Sequence, residues 1–380
     1  MTRNIALGRP DLGEEELAAI AEVFRSGWPA GAGPACRAFE SEFAAAMGVP
    51  HALATNNCGA ALHLGLLCLG VGPADEVIVA DYTFPATGHS VVWTGATPVF
   101  ADVRGDTGTV DPDSVAALIG PRTVGIIAVD VAGLPADYEP LQTLATRHGL
   151  WLMEDAACAA GATYRGQPAG SVADIAAFSF HGRKGITSGE GGALVSARGD
   201  LIEKARTMHT YGIGPALSRE GSRELVIPAF DEIGHNYRLS DVAAAIMRVQ
   251  LRRMPGFLAA RDSVAQRYAA GLSDVAGLAL PVVPPDRTHP WQAYLVTVDE
   301  DIDRDAVVLQ LRNRGVGSTF GTYASHLQPV YGRTNPCPVS ASLFARQLAL
   351  PMHTLLDEAD VDYVIQQVRT VLADPAVRRS

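Results

Sequence analysis

The sequence predicts an α/β fold, a mostly parallel sheet of about seven strands flanked by helices, with a smaller α+β domain at the C-terminal side. Three observations predict it. Short apolar runs alternate with helix-period segments from His51 to Ser196, the pattern of parallel strands joined by crossover helices. One run, Val124 to Val129, is apolar throughout, as a strand covered on both faces must be. The chain has 380 residues and 48% hydrophobic content, enough for a large domain, its core and an appendage.

The elements follow in order. Glu14 to Phe24 carries Leu17, Ile20, Val23 and Phe24 at helical spacing, and its three leading glutamates complement the helix dipole. A Gly- and Pro-rich loop, Gly27 to Pro34, separates it from a helix over Ala35 to Met47. His51 to Thr55 is a strand. Asn56-Asn57-Cys58-Gly59-Ala60-Ala61 then leads into a helix over Ala60 to Leu69. A strand, a small-residue turn and a helix N-terminus together form a phosphate cradle, although most such turns only start a helix. Strands are expected at Glu76 to Ala80, Thr97 to Asp102, Val124 to Val129, Leu150 to Met153, Ile175 to Phe180 and Ala193 to Ser196. Helices are expected at His89 to Val92, Asp111 to Ile119, Tyr138 to His148 and Leu201 to His209. Gly212 to Pro228 reads as an irregular excursion. A helix from Asp241 stops near Met254, and Pro255-Gly256 marks a break. The division is therefore a large domain with an N-terminal arm at 1–254 and a small C-terminal domain at 255–380. The latter holds a helix over Leu258 to Leu272, a strand at Ala293 to Val298, and helices at Arg304 to Arg314 and Asp357 to Leu372.

Charge and cysteine usage narrow the partners. Thirty basic residues against 41 acidic ones give a formal net charge of −11. That disfavours nucleic acid or an anionic membrane as a partner, since both call for a basic face. No apolar run approaches the roughly 20 residues that span a bilayer, and the N-terminus lacks the apolar core of a signal peptide. The five cysteines are scattered, with no CxxC pair and no zinc-type spacing, which fits a reducing compartment. A cytoplasmic protein with no metal is the expectation.

Only two lysines, Lys184 and Lys204, stand against twenty-eight arginines. Lys184 lies in a Gly/Ser-rich turn behind the Ile175–Phe180 run. A desolvated amine attacks a carbonyl and a guanidinium does not, so Lys184 is a candidate Schiff-base nucleophile. In parallel sheets the ligand sits at the C-terminal strand ends. Asn57, Phe84, Asp155 and Lys184 all fall at such ends. An amine, a strand-end acid, an aromatic face and a phosphate cradle in one crevice are what pyridoxal 5'-phosphate requires. Taken singly, Phe84 also fits a core, Asp155 a helix cap, Ser179 a backbone-bonded buried hydroxyl, Asn236 a turn and His326 an exposed loop.

Two long stretches, Glu154 to Ser196 (EDAACAAGATYRGQPAGSVADIAAFSFHGRKGITSGEGGALVS) and Gly234 to Ile246 (GHNYRLSDVAAAI), together with LALPMH at Leu348 to His353, resemble the DegT/DnrJ/EryC1/StrS family of sugar aminotransferases, almost end to end. The resemblance implies the fold type I architecture of aspartate aminotransferase. It implies a Schiff base on Lys184, which also moves the proton, and Asp155 facing the pyridine nitrogen. Phe84 would stack on the ring. Ser179 and the backbone of Cys58, Gly59 and Ala60 would hold the phosphate. Asn236 would reach the neighbouring subunit's cofactor in a homodimer with shared sites. His181, Tyr211, Tyr323 and His326 would line the substrate pocket. The implied reaction moves an amino group from Glu or Gln to a keto group of a nucleotide-linked deoxysugar. A cyclitol ketone, an aminated-benzoate synthesis of the 3-amino-5-hydroxybenzoate type, or a regulator without turnover are the alternatives. Two positions depart from the family pattern. Gly59 stands where a Thr or Ser is usual, and Cys158 where Gln or His usually supports the cofactor's phenolic oxygen.

Overall fold

The computed structural model describes residues 3–213, 227, 229–332 and 334–379. The arm leads into α1 (Glu14–Ser26), which carries its three glutamates in the first turn. Glu16 keeps its place in the first turn and does more than the sequence suggests. It is buried, takes the N–H of Gly13 at 2.8 Å, and receives hydrogen bonds from Gln250 and Arg253. After α2 (Pro34–Ala46) comes β1 (His51–Thr55) and then α3 (Cys58–Cys68). The latter starts at Cys58, earlier than Ala60, because the Asn57 side chain caps the Ala60 N–H at 2.8 Å.

The chain continues through β2 (Glu76–Ala80), β3 (Tyr82–Thr83), α4 (Ala86–Trp93), β4 (Thr97–Ala101), α5 (Pro112–Leu118), β5 (Thr123–Val129), α6 (Tyr138–His148) and β6 (Trp151–Asp155). A small hairpin, β7 (Thr163–Tyr164) and β8 (Gln167–Pro168), precedes β9 (Ile175–Ser179), β10 (Gly192–Ser196) and α7 (Gly199–Met208). The seven-stranded sheet has the order β1-β10-β9-β6-β5-β2-β4. All its pairings are parallel except those of β10, which runs antiparallel to both β1 and β9. The start of β10 therefore lies at the same edge as the ends of the other six. Asp155 and Ser179 are the last residues of their strands rather than beyond them. No helix follows Asp155, so it is not a cap. The apolar side chains of the strands feed separate cores on either face of the sheet, one of them closed by Phe39, Phe43, Phe178 and Phe180 in edge-on contact. Those faces explain why the runs read as continuous.

The expected break at Pro255-Gly256 does not occur. One helix, α8 (Asp241–Leu272), runs through it. An internal proline costs about 3 kcal/mol, and packing on both sides offsets that cost. Ala244, Met247, Leu251 and Phe257 join the core beneath β9 and β10, whereas Val264, Ala265, Tyr268 and Leu272 join the C-terminal core. The rest comprises β11 (Leu278–Ala279), β12 (Tyr294–Val298), α9 (Arg304–Asn313), β13 (Thr319–Phe320), β14 (Tyr323–Ala324), α10 (Pro338–Arg346), β15 (Gln347–Leu350) and α11 (Glu358–Leu372). A four-stranded antiparallel sheet, β11-β12-β15-β13, packs on α9 and α11. β14 instead pairs with β3, setting Tyr323 opposite Thr83 just past the end of β2. Most of the excursion expected over Gly212 to Pro228 lies outside the described residues. No helix among the described residues is long and apolar enough to cross a membrane.

Candidate active site

Three sheet residues lie side by side at the shared edge: Thr55, Gly192 and Ser179 are consecutive cross-strand partners. Gly192 is required there. A Cβ on it would come within 2.6–2.7 Å of the Asn57 and Cys58 backbone, so only glycine lets the N-terminus of α3 settle against β10. Ala60 N–H is capped by Asn57 Oδ1, and Ala61 N–H bonds the Asn57 carbonyl at 3.2 Å. The N–H groups of Cys58 and Gly59 find no acceptor among the described residues. Two free donors at a helix N-terminus, beside the Ser179 hydroxyl, make an anion cradle.

Asp155 projects from the end of β6, 4% exposed. Its Oδ2 accepts the Thr87 hydroxyl at 2.7 Å and its Oδ1 the Ala157 N–H at 3.2 Å. Burial pushes its carboxyl up, against the opposing pull of Thr87, Ala157 and the Lys184 ammonium. A carboxylate in that state gains from a cation brought to it. The Thr87 hydroxyl oxygen also accepts the Thr83 hydroxyl at 2.9 Å, and the Thr87 N–H donates to the Phe84 carbonyl at 3.2 Å, which fixes the turn that presents the Phe84 ring. That ring is 62% exposed and meets Tyr323 edge-on, centroids 6.0 Å apart. An aromatic face that a core residue would hide is thus open at the strand ends, and the core reading of Phe84 does not hold.

Lys184 reaches this group from the turn between β9 and β10. Its N–H donates to the His181 carbonyl at 2.8 Å. Its Nζ donates to Cys158 Sγ at 3.1 Å. Burial pulls the amine's pKa down, but Cys158, Cys58 and Asp155 around it outweigh burial and leave it raised. The same burial drives the Cys58 thiol well up. All five cysteines are free. Above Cys158 passes the Ala132–Asp137 run. Gly133, at φ +105°, comes so close that a Cβ would lie 2.7 Å from the Cys158 carbonyl.

The structure therefore brings together Cys58, Gly59, Ala60, Asp155, Cys158, Ser179 and Lys184, with Phe84 and Tyr323 at the mouth. His326 is anchored rather than free: its N–H and Nδ1 meet the two oxygens of Asp81 at 2.6 and 2.7 Å. His181 lies on the rim, its Nε2 3.7 Å from Glu190. Tyr211 sits on a separate turn at φ +61°, with Arg238 over its ring. Asn236 is held beside the cradle loop, its carbonyl taking Asn56 Nδ2 at 3.3 Å, while its side-chain oxygen takes Arg238 Nε at 3.2 Å. Sequence reasoning missed Thr87 and Asp81. The Thr83/Thr87 pair at i, i+4 was a signal for the first, and an acid directly after an apolar strand for the second.

The donor set fits pyridoxal phosphate: free N–H groups and a hydroxyl for the phosphate, a buried acid for the ring nitrogen, an open aromatic face and one amine. A further hydroxyl should tighten the hold. A Cβ on Gly59 would stand 3.3 Å from Asn57 Oδ1 and 3.6 Å from the Trp93 ring, so serine fits once the Asn57 side chain gives by a few tenths of an ångström. One added hydrogen bond to a charged group contributes about 1.5 kcal/mol, so Gly59→Ser is expected to bind the cofactor roughly tenfold more tightly. Fluorescence titration of the apoprotein checks this, and an unchanged or weaker affinity would count against the cradle.

Comparison with known proteins bears on this site. The model of the DegT/DnrJ/EryC1/StrS aminotransferase family matches residues 10–369. The spore coat polysaccharide biosynthesis protein SpsC of Bacillus subtilis (strain 168) is 34% identical over 373 residues, 96% of each chain. The aminotransferase TlmJ from Streptoalloteichus hindustanus superposes with a TM-score of 0.91 at 36% identity, covering 97% of this chain and 99% of its own. DesV of S. venezuelae, solved in complex with a ketimine intermediate, gives 0.89 at 35% identity, covering 98% and 100%.

Proposed function

The chain belongs to the DegT/DnrJ/EryC1/StrS aminotransferase family and is a pyridoxal-phosphate-dependent aminotransferase; from that premise we propose that it transfers an amino group from Glu or Gln to a keto group of a nucleotide-linked deoxysugar. The observation that carries the reading is the likeness, over nearly the full length, to a polysaccharide-biosynthesis protein and to PseC of Helicobacter pylori, an aminotransferase involved in the biosynthesis of pseudoaminic acid. The open aromatic mouth of Phe84 and Tyr323 suits a hydroxylated ring, and we assign His326 to the substrate side.

The cofactor supplies an aldehyde to take the amino group and a ring to draw off electrons. In the proposed division of labour, Lys184 Nζ holds the cofactor and then carries the proton between the two carbons. Asp155 keeps the ring nitrogen protonated. Phe84 covers the ring, and Ser179 with the α3 N-terminus holds the phosphate. Cys158 occupies the amine's flank, where its thiol is a weak donor. We assign His181 and Tyr211 to the substrate side, and Asn236 to a site shared across a homodimer. Exposed apolar side chains such as Phe24, Phe230 and Ile233 are consistent with a partner subunit. The large and small domains at 1–254 and 255–380, joined through α8, and a cytoplasmic location complete the proposal.

Offering nucleotide-linked keto-deoxysugars and scyllo-inosose side by side, with Glu or Gln as donor, tests the substrate class. Formation of 2-oxo acid with a nucleotide-linked sugar is the expected result. Turnover of the cyclitol ketone alone would replace this reading.

A further inference from the structure

Helix α8 runs under the lysine turn and grips it twice. The Arg261 guanidinium donates from Nη2 to the carbonyl of Gly185 at 3.0 Å. The two are so close that a Cβ on Gly185 would stand 2.6 Å from Nη1. Earlier in the same helix, Gln250 Oε1 accepts the N–H of Thr187 at 3.2 Å. Gln250 is itself fixed, since its Nε2 donates to the Asp11 carbonyl at 2.9 Å and to Glu16 Oε1 at 2.8 Å. Thr187 is pinned in turn, its hydroxyl donating to the Phe180 carbonyl at 2.7 Å. The peptide groups immediately after Lys184 are thus tied to α8 at both ends of a short span.

Arg261 is unusual in its setting. It is 7% exposed. Among the described residues it makes no salt bridge, and its buried Nε has no acceptor. Burial pulls even its guanidinium down to about 10. Stability alone does not favour this arrangement, because an apolar side chain of similar volume avoids the desolvation cost of an unpaired cation. Among the described residues its one hydrogen bond is to the residue next to Lys184. Arg261 also lies on α8 between Phe257, which packs in the core under the sheet, and Val264, which packs in the C-terminal core.

We propose that Arg261, seconded by Gln250, is a positioning residue for Lys184, holding the Gly185 carbonyl so that the lysine amine is aimed into the site between Asp155 and Cys158. It acts on the lysine and not on the cofactor's phosphate or ring. The inference rests on the cofactor chemistry and is independent of which keto substrate is used.

The test separates aim from pocket. Apoprotein of Arg261→Met is mixed with pyridoxal phosphate, and covalent capture by Lys184 is followed by borohydride trapping. In parallel, pyridoxine 5'-phosphate, which lacks the aldehyde, is titrated to read the pocket without the lysine. A displaced nucleophile costs about 10²-fold for an ångström of misplacement. Capture is therefore expected to slow by at least about tenfold, with pyridoxine phosphate affinity unchanged and Arg261→Lys falling between the variant and the parent. Capture at the parent rate would overturn the proposal. So would parallel loss of pyridoxine phosphate binding, which would show a collapsed pocket. If Arg261→Met does not fold, Gln250→Met carries the same test, with slowed capture and intact pyridoxine phosphate binding expected and an unchanged capture rate overturning it.

Discussion

Lys184→Ala is expected to abolish transamination, lowering kcat by about 10⁴-fold or more, since it removes the group proposed as both covalent anchor and proton carrier. No other amine can take its place. Lys204, the second lysine, sits on α7 with its Nζ 3.4 Å from the Leu67 carbonyl, in the last turn of α3, the opposite end of that helix from Cys58 and the site. Cys158 remains, but a thiol does not form the nitrogen–carbon bond the reaction needs. The fold should survive, because among the described residues the Lys184 side chain makes one hydrogen bond, to Cys158, and joins no hydrophobic core. Steady-state rates with an unchanged melting temperature check the prediction. Residual activity within a hundredfold of the parent would show that the chemistry lies elsewhere.

The second large effect is at Asp155. Asp155→Asn keeps shape and the hydrogen bond from Ala157 N–H, and it removes the charge while turning the atom that faces Thr87 from an acceptor into a donor. A facing carboxylate raises the pKa of a nearby cationic group by 1–3 units, so its loss should cut kcat by roughly 10- to 10³-fold, each unit being tenfold. Because binding of the donor substrate does not depend on that charge, KM should move less than kcat. The Thr87 hydroxyl, which donates to Asp155 Oδ2 at 2.7 Å, accepts from the Asn Nδ2 in the variant, so Thr87→Val beside it separates the loss of charge from the reversed hydrogen bond. A kcat within threefold of the parent would remove Asp155 from its assigned role.

Most of the frame was legible from residues alone because the sheet is buried on both faces. His51–Thr55, Glu76–Ala80 and Tyr138–His148 appear at the expected limits, since apolar runs bounded by turn residues leave little latitude. Pro255 misled for a physical reason. Proline breaks an isolated helix, but α8 is clamped by two cores, and tertiary packing overrides a local preference. Glu16 shows the same limit: its place in the first turn of α1 is legible, but only the fold brings Gln250 and Arg253 to it. Asn57, Phe84, Asp155 and Lys184 were legible because each follows or ends an apolar strand-like run. Arg261 was not, because its contact with Gly185 spans 76 positions and no local pattern encodes it. The antiparallel β10 was likewise invisible, although it is what returns the lysine turn to the edge where the parallel strands end.

The central claim is that the cofactor is bound covalently to one particular lysine in this crevice. Borohydride reduction of the purified holoprotein, followed by peptide mapping by mass spectrometry, tests it most directly. With only two lysines in the chain, the readout is a choice between two peptides. The reduced pyridoxyl group is expected on the peptide containing Lys184 and absent from Lys184→Ala. Label on Lys204, or on neither lysine in protein carrying the cofactor, would contradict the account.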